Sequence, residues 1–167
     1  RIGRHVLRAL IEAGERHPLQ IVAINDLGEP EALLHLLRYD TTHGRFPGDV
    51  LLEDRILRVG SQRIALYAEP HPEKLPWRHL AVDVVLECTG KFLTPETLQG
   101  HLDRGAKRVI VAAPVKVGDV LNIVVGVNHH LYDPAVNHIV TAASCTTNCL
   151  APVVKVVHEA LGIKHGQ

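Results

Sequence analysis

Residues 82–114 read VDVVLECTGKFLTPETLQGHLDRGAKRVIVAAP and contain two apolar, β-branched runs separated by a polar segment. The runs VDVVLECTG and KRVIVAAP are typical of buried strands. Between them, TPETLQGHLDRGA predicts a helix that opens at Thr94, with Pro95 at its first position. Two buried strands joined by a helix are typical of neighbours in a parallel sheet. The stretch therefore predicts an α/β fold.

The segments upstream of this stretch continue the same rhythm, with one interruption. RIGRHVLRALIEAG at 1–14 has apolar residues at helical spacing, and LQIVAIND at 19–26 is a short β-branched run. EPEALLHLLRYD at 29–40 predicts a second helix. Alternating apolar and polar residues at 49–67 instead predict an antiparallel meander inserted at one edge.

Downstream, NIVVGVN at 122–128 and HIVTAAS at 138–144 predict two more strands. The segment TTNCLAPVVKVVHEALG predicts a helix that closes at Gly162. Strands alternating with helices imply a doubly wound parallel sheet with helices on both faces.

Composition excludes several classes of protein. The 167 residues are 46% hydrophobic, and 18 Lys and Arg balance 18 Asp and Glu, so nothing indicates nucleic acid or an acidic membrane surface as a partner. No signal peptide or apolar run of membrane-spanning length is visible, and three irregularly spaced cysteines do not form a disulfide framework. A reducing cytoplasm is the expected location.

Two of the three cysteines, Cys145 and Cys149, lie in AASCTTNC at 142–149, where a strand gives way to a helix. Both could be small packing residues. Alternatively, Cys145 is a nucleophile, because unpaired N–H groups and the helix dipole stabilise a thiolate at a helix start. Cys149 and Cys88 are expected to be packing residues. No metal site is expected, since C-x-x-x-C lacks a second ligand pair.

Dinucleotide binding has a weak signature at the start of the chain. Gly3 lies where the third glycine of G-x-G-x-x-G would fall, and Asp26 closes the next predicted strand. An acidic residue about 20 positions after the glycines holds the adenosine ribose. The first two glycines are absent, and taken alone Asp26 is more often a turn residue than a ribose ligand.

Several segments together resemble the amino-terminal half of phosphorylating glyceraldehyde-3-phosphate dehydrogenase. The resemblance covers the whole chain, in order and with consistent spacing, and its most specific element is ASCTTN. AAPVK followed by LNIVVGVNHHLYDP is most similar to the variant encoded beside arsenate-resistance transporters. The segments that carry the resemblance are RIGR, IND, LLRYDTTHGRF, LPW, DVVLECTGKF, GAKRVIVAAP, GVN and ASCTTNCLAP.

This resemblance implies a Rossmann-type NAD-binding domain at 1–144, truncated at its N-terminus and without its first strand. Residues 145–167 would be the nucleophile and first helix of a truncated catalytic domain. The family's general-base histidine, about 27 residues after the nucleophile, would fall beyond Gln167. The chain is therefore expected to be a fragment that is inactive by itself.

The resemblance also assigns roles to individual residues. Cys145 would be the nucleophile, and Thr146 would bind the phosphate or the substrate oxyanion. Ser144 could do the same or could cap the helix. Asp26 favours NAD over NADP, because a carboxylate repels a 2′-phosphate. The implied cofactor-binding residues are Arg1, Ile2, Gly3, Asp26, Thr89 and Ala112.

The implied parent enzyme is a cytoplasmic homotetramer that oxidises glyceraldehyde 3-phosphate with NAD through a cysteine thioester. Phosphate would release 1,3-bisphosphoglycerate, as in glycolysis, and arsenate would release 1-arseno-3-phosphoglycerate, as in arsenate resistance. Two alternatives stay open. An erythrose-4-phosphate dehydrogenase would share every motif, and a non-catalytic NAD-binding or redox-sensing module could use Cys145 without dehydrogenase chemistry.

Overall fold

The structure, a computed structural model, describes residues 1–14 and 18–166. The chain divides into two units, Arg1–Val82 and Asp83–Gln167, and each is described by itself. The boundary between NAD-binding and catalytic domains after residue 144, which the sequence implies, stays a prediction.

The elements of the first unit are α1 (Ile2–Ala13), β1 (Ala23–Asn25), α2 (Pro30–Arg38), β2 (Tyr39–Asp40), β3 (Gly44–Arg45), β4 (Val50–Glu53), β5 (Ile56–Val59) and β6 (Gln62–Tyr67). The unit is built around a mixed four-stranded sheet in the order β1-β6-β5-β4. β1 and β6 are parallel, with Ile24 opposite Leu66, whereas β4, β5 and β6 form the antiparallel meander that the sequence predicts.

Both helices of the first unit pack their apolar faces into one core. Leu37 of α2, Leu57 of β5 and Ile64 of β6 are completely buried, and Leu7 of α1 is nearly so. α2 begins with Pro30, whose fixed φ suits the first helical turn. The helical spacing and the strand alternation read from the sequence therefore converge on the same core.

The elements of the second unit are β7 (Val84–Glu87), α3 (Pro95–Asp103), β8 (Arg108–Val111), β9 (Leu121–Asn122), β10 (Ile139–Thr141) and α4 (Cys145–Leu161). The strands form a fully parallel four-stranded sheet in the order β7-β8-β10-β9. The strand–helix–strand unit predicted at 82–114 is confirmed, because β7 and β8 are joined by α3 and lie side by side.

The strand predicted at 122–128 is wrong over most of its length, since only Leu121–Asn122 forms β9. The Asn128 side chain explains the difference. Its Oδ1 accepts from the Val124 N–H at 2.7 Å, and its Nδ2 donates to the Asn122 carbonyl at 2.9 Å. These bonds close a turn through Gly126, whose φ is 87°. An apolar run thus becomes a turn because a side chain satisfies its backbone.

α3 begins at a cap that the sequence predicts. Thr94 Oγ1 accepts from the Thr97 N–H at 3.4 Å, while Thr97 Oγ1 accepts from the Thr94 N–H at 3.2 Å. Leu98, one residue further, is completely buried, so the cap also fixes the register of the packed face.

Thr94→Ala is expected to lower the free energy of unfolding of this unit by about 1 kcal/mol, because it leaves the Thr97 N–H without its side-chain acceptor. Thr94→Ser keeps the hydroxyl and is the matched control. Urea unfolding monitored by far-UV circular dichroism measures both variants. Equal losses for alanine and serine would show that the hydroxyl contributes nothing.

α4 is the longest helix of the described residues, and no residue on it is buried. Leu150, Val153 and Val156 are each at least 60% exposed. Its length and apolar content still fall short of a membrane-spanning segment, as do those of the other described helices.

Candidate active site

The junction between β10 and α4 is a tight turn held by side chains. Thr141 Oγ1 accepts from the Ala143 N–H at 2.9 Å and donates to Asn122 Oδ1 at 2.7 Å. Ala143 has a φ of 56°, which is rare for a residue with a Cβ and costs about 1–3 kcal/mol. The network around Thr141 keeps the backbone in this conformation and turns the chain sharply into α4.

Ser144 caps α4. Its Oγ accepts from the Thr147 N–H at 3.0 Å and lies 3.0 Å from Thr146 Oγ1 and 2.7 Å from Thr147 Oγ1. Of the two roles that the sequence left open for Ser144, the structure contains the cap. An oxyanion-binding role for Ser144 and Thr146 stays a prediction.

Cys145 is the first residue of α4, and its side chain is exposed. The first helical hydrogen bond runs from the Asn148 N–H to the Ser144 carbonyl, and the Thr147 N–H is taken by the Ser144 side chain. The N–H groups of Cys145 and Thr146 therefore precede the hydrogen-bonded part of the helix. If a carbonyl carbon bonded to Cys145 Sγ, these two N–H groups could donate hydrogen bonds to its oxygen.

Asn148 holds the first turn of α4, a role that was not predicted from the sequence. Its Nδ2 donates to the Ala142 carbonyl at 2.7 Å and to the Ser144 carbonyl at 3.0 Å, so it ties the first turn of α4 back to the end of β10. Asn148 ends the ASCTTN motif, which was the available signal. Its contacts act on the Cys145 backbone position.

The expectation of a buried Cys149 is wrong, because this side chain is exposed one turn beyond Cys145. The cause is that no described residue covers this face of α4. Cys88 is partly buried just after β7, as a packing residue should be. Burial, and secondarily the Glu87 carboxylate, raise the pKa of the Cys88 thiol.

A buried acid organises the ends of β7 and β8. Glu87 is 5% exposed, and its Oε1 accepts from both the N–H and the hydroxyl of Thr89. Its Oε2 lies 3.3 Å from Nε2 of His101, which is buried on α3. Burial raises the pKa of Glu87, but the hydrogen bonds from His101 and Thr89 outweigh burial, so the pKa lies below its ordinary value.

Glu87 also brings together two residues that the sequence assigns to the cofactor. Thr89 bonds to the Glu87 carboxylate, and the Ala112 N–H donates to the Glu87 carbonyl at 2.9 Å. Thr89 and Ala112 thus lie just past the carboxyl ends of adjacent parallel strands, which is where dinucleotides bind in such sheets. Their cofactor contacts stay predictions, and Ala112 has no side-chain hydroxyl with which to make one.

In the first unit, α1 begins at Ile2 with Arg1 as its N-cap. The first helical hydrogen bond runs from the His5 N–H to the Arg1 carbonyl, so the N–H groups of Ile2 and Gly3 lie ahead of it. Such groups suit a pyrophosphate. The Arg1 guanidinium is engaged elsewhere, because it donates to Asp40 at 3.2 Å and to Thr42 at 3.1 Å.

Asp26 follows β1 directly and is exposed. Its Oδ1 accepts from the Gly28 N–H at 2.9 Å. A Cβ at position 28 would lie 3.2 Å from that oxygen, so glycine suits this tight turn. Asp26 can therefore act both as a turn residue and as a ribose ligand. One oxygen shapes the turn, and Oδ2 has no hydrogen-bond partner in the described part of the chain.

The predicted site residues fall into groups. Ser144, Cys145 and Thr146 are consecutive residues at the start of α4, and Thr89 and Ala112 both hydrogen-bond to Glu87. The N-terminus of α1 and Asp26 belong to the first unit. The adjacent His129 and His130 are exposed and lie in a short 3-10 helix, His129–Leu131.

Comparison with known proteins identifies the chain. Residues 1–95 match the family model "Glyceraldehyde 3-phosphate dehydrogenase, NAD binding domain", and residues 144–167 match its "C-terminal domain" counterpart. Together with parallel strands joined by a helix, these matches define a Rossmann-type, NAD-binding α/β protein, and NAD is its cofactor. The chain belongs to the glyceraldehyde-3-phosphate dehydrogenase family.

Curated relatives agree with this assignment. The chain is 52% identical over 166 residues to "Glyceraldehyde-3-phosphate dehydrogenase, plasmid" of Cupriavidus necator. It is 51% identical to the glyceraldehyde-3-phosphate dehydrogenase of Pseudomonas aeruginosa and 46% identical to that of Geobacillus stearothermophilus. These alignments cover 99% of the chain and 49%, 49% and 48% of the three relatives. The chain thus spans about half the length of the curated relatives it matches.

Proposed function

We propose that this chain supplies the NAD-binding domain and the nucleophile of an enzyme that oxidises glyceraldehyde 3-phosphate to an acyl phosphate. The position of Cys145 carries the proposal, because an exposed thiol at the first residue of a capped helix combines access with N–H groups that favour negative charge. Family membership supports the assignment of substrate.

The proposed chemistry begins with attack by the Cys145 thiolate on the aldehyde carbon. A C–S bond forms, and the aldehyde oxygen becomes an oxyanion that the N–H groups of Cys145 and Thr146 can stabilise. The C–H bond of this carbon then breaks, and the hydrogen leaves with the bonding electron pair as a hydride. A thioester on Cys145 remains. A phosphate oxygen then attacks the thioester carbon, the C–S bond breaks, and the thiolate is regenerated with release of 1,3-bisphosphoglycerate.

The residues present suit the cofactor. The N–H groups of Ile2 and Gly3 at the start of α1 would hold the pyrophosphate, and Asp26 Oδ2 would accept from a ribose hydroxyl. Thr89 would meet the cofactor beyond the end of β7. Bound NAD supplies the acceptor for the hydrogen and electron pair.

A chimera tests the proposal. In it, this chain replaces the aligned half of the Cupriavidus necator relative, which provides the rest of its own sequence. The chimera should reduce NAD in the presence of glyceraldehyde 3-phosphate and phosphate, measured as NADH absorbance. A folded chimera that binds NAD without aldehyde-dependent reduction would favour a non-catalytic NAD-binding or redox-sensing module. The relative's half would contribute to the choice of aldehyde. The assay therefore tests the nucleophile and the cofactor domain of this chain, and not its preference among aldehydes.

The finer parts of the proposal concern the physiological role. We infer a cytoplasmic homotetramer that uses phosphate or arsenate as the second substrate, with 1-arseno-3-phosphoglycerate as the arsenate product. The segments AAPVK and LNIVVGVNHHLYDP support the arsenate-linked role through their resemblance to that variant. Sequencing the DNA around the coding region is the test, since an adjacent transporter gene is expected and a set of glycolytic genes would argue against it.

Asp26 provides a prediction about cofactor choice. In the chimera, Asp26→Ala should weaken NAD binding, because the ribose hydroxyls lose an acceptor. It should also reduce the preference for NAD over NADP, because no carboxylate then repels the 2′-phosphate of NADP. The expected loss for NAD is about 10-fold, equivalent to one hydrogen bond. Isothermal titration calorimetry with both cofactors measures the ratio. Asp26→Asn keeps the oxygen for the Gly28 turn and serves as the control.

An unchanged NAD/NADP ratio in Asp26→Ala would show that Asp26 is only a turn residue. If Asp26→Asn also narrows the preference for NAD, the charge of Asp26 selects the cofactor. If only Asp26→Ala does so, the shape of the turn selects it.

A further inference from the structure

Two histidines and an aspartate from separate parts of the first unit converge at one place. His5 comes from the first turns of α1, and Asp40 and His43 come from the β2–β3 hairpin. One ligand atom from each of the three side chains lies within 4.8 Å of the other two. The His5 Nε2 atom is 3.3 Å from Asp40 Oδ2, and the two imidazole rings are 4.5 Å apart between centroids.

The hairpin is fixed in place, so the three groups do not meet by the chance orientation of long side chains. Asp40 Oδ1 accepts from the N–H groups of Thr42 and His43, at 2.9 and 3.0 Å. Arg8, which is buried on α1, donates to the carbonyls of His43 and Gly44 at 3.3 and 3.1 Å. Both the carboxylate and the His43 backbone are therefore held against α1.

A cation already occupies the neighbourhood of these acceptors. Arg1 donates from Nε to His5 Nε2 at 3.3 Å and from Nη2 to both Asp40 oxygens, at 3.2 and 3.3 Å. The Arg1 side chain is 54% exposed and can move away, whereas the Asp40 side chain is 11% exposed and fixed. The His43 imidazole is exposed and can turn toward the same point.

We infer that His5, Asp40 and His43 form a binding site for a late first-row divalent metal ion, of the zinc, cobalt or nickel type, which displaces the Arg1 guanidinium. Two imidazoles and a carboxylate are ligands that suit such ions, and water completes the coordination. Calcium and magnesium, which prefer oxygen ligands, are excluded by this donor set. The site lies within the first unit and involves no redox step.

The sequence predicts no metal site, because the cysteine pair lacks a second pair of ligands. His5 and His43 have no recognisable ligand spacing, and only the packing of the hairpin on α1 brings them together. A metal ion here would add positive charge beside the first turn of α1, where a pyrophosphate is proposed to bind.

The test is titration of zinc and cobalt into the 167-residue chain without a purification tag, repeated in the chimera. Both exposed cysteines, Cys145 and Cys149, are first replaced by serine so that thiolates do not bind the ion. Competition with a chromophoric chelator gives the zinc affinity, and the visible spectrum of cobalt reports coordination by the imidazoles. One high-affinity ion per chain is expected.

His43→Gln is the decisive variant, because this exposed side chain can be replaced without disturbing the core. It should weaken zinc binding on the order of 100-fold, as should His5→Gln. His35→Gln, which removes an exposed histidine outside the cluster, should have no effect. Arg1→Gln should tighten zinc binding, because it removes the competing cation.

Equal zinc affinity in His43→Gln, His5→Gln and the parent would overturn the inference, as would weaker zinc binding in Arg1→Gln. Circular dichroism of each variant excludes unfolding as the cause of a loss. If His5→Gln alone fails to fold, the His43→Gln result and the cobalt spectrum still decide.

Discussion

Cys145→Ser in the chimera is expected to lower aldehyde-dependent NAD reduction on the order of 10³-fold or more, while NAD binding stays nearly unchanged. A serine hydroxyl at the start of α4 keeps the helix intact but ionises far less readily than a thiol, so the covalent step fails. Stopped-flow NADH absorbance measures the chemical step, and calorimetry measures NAD binding.

Cys149→Ser is the matched control, because Cys149 is also exposed and lies one turn further along α4. This variant should retain most of the activity. Iodoacetamide should likewise modify Cys145 well before Cys149, and since both thiols are exposed, a difference in rate reflects the helix start and not access. Equal labelling of the two, or substantial activity in Cys145→Ser, would contradict the proposed nucleophile.

The largest expected effect on stability comes from Glu87→Ala. The change leaves buried His101 without the Glu87 carboxylate and removes the acceptor for the Thr89 N–H and hydroxyl. Breaking a buried pair by deleting one partner costs about 3–5 kcal/mol. The midpoint of urea unfolding of the 167-residue chain, followed by far-UV circular dichroism, should fall accordingly. Glu53→Ala, which removes an exposed acid paired with Arg58, is the control and should change little.

The same residue makes stability depend on pH in a defined direction. The folded-state pKa of Glu87 is lowered from 4.5, so its stabilising contribution is present above about pH 4.5 and is lost as pH falls through the folded-state pKa. The difference in free energy of unfolding between the parent and Glu87→Gln should therefore shrink as pH falls from 5 toward 3. The expected change is about 1.4 kcal/mol for each unit by which the folded-state pKa of Glu87 is lowered.

Part of the acid sensitivity should remain in Glu87→Gln, because the pKa of Asp40 is also well below its usual range. The N–H groups of His43 and Thr42, and then Arg1, are the causes. A stability difference between the parent and Glu87→Gln that stays constant or grows as pH falls would mean that Glu87 is not stabilised as a carboxylate in the folded chain.

Most of the local structure could be predicted from the sequence, because apolar spacing and capping residues act over a few positions. The meander at 49–67, the Thr94 cap and the helix start at Cys145 are examples, and all three are present. The strand predicted at 122–128 was wrong because β-branched residues indicate burial in strands but do not reveal a side chain, here Asn128, that closes a turn.

Among the site residues, the sequence pattern made Cys145 and Asp26 candidates, since each lies where a strand ends and a helix or turn begins. The family resemblance assigned their roles, which stay predictions. What it could not supply were groups whose partners are distant in the chain. Glu87 with His101, and His5 with Asp40 and His43, are juxtaposed only by packing of helices on strands and hairpins. Local patterns follow from interactions a few residues apart, whereas these clusters depend on three-dimensional packing that one-dimensional spacing does not encode.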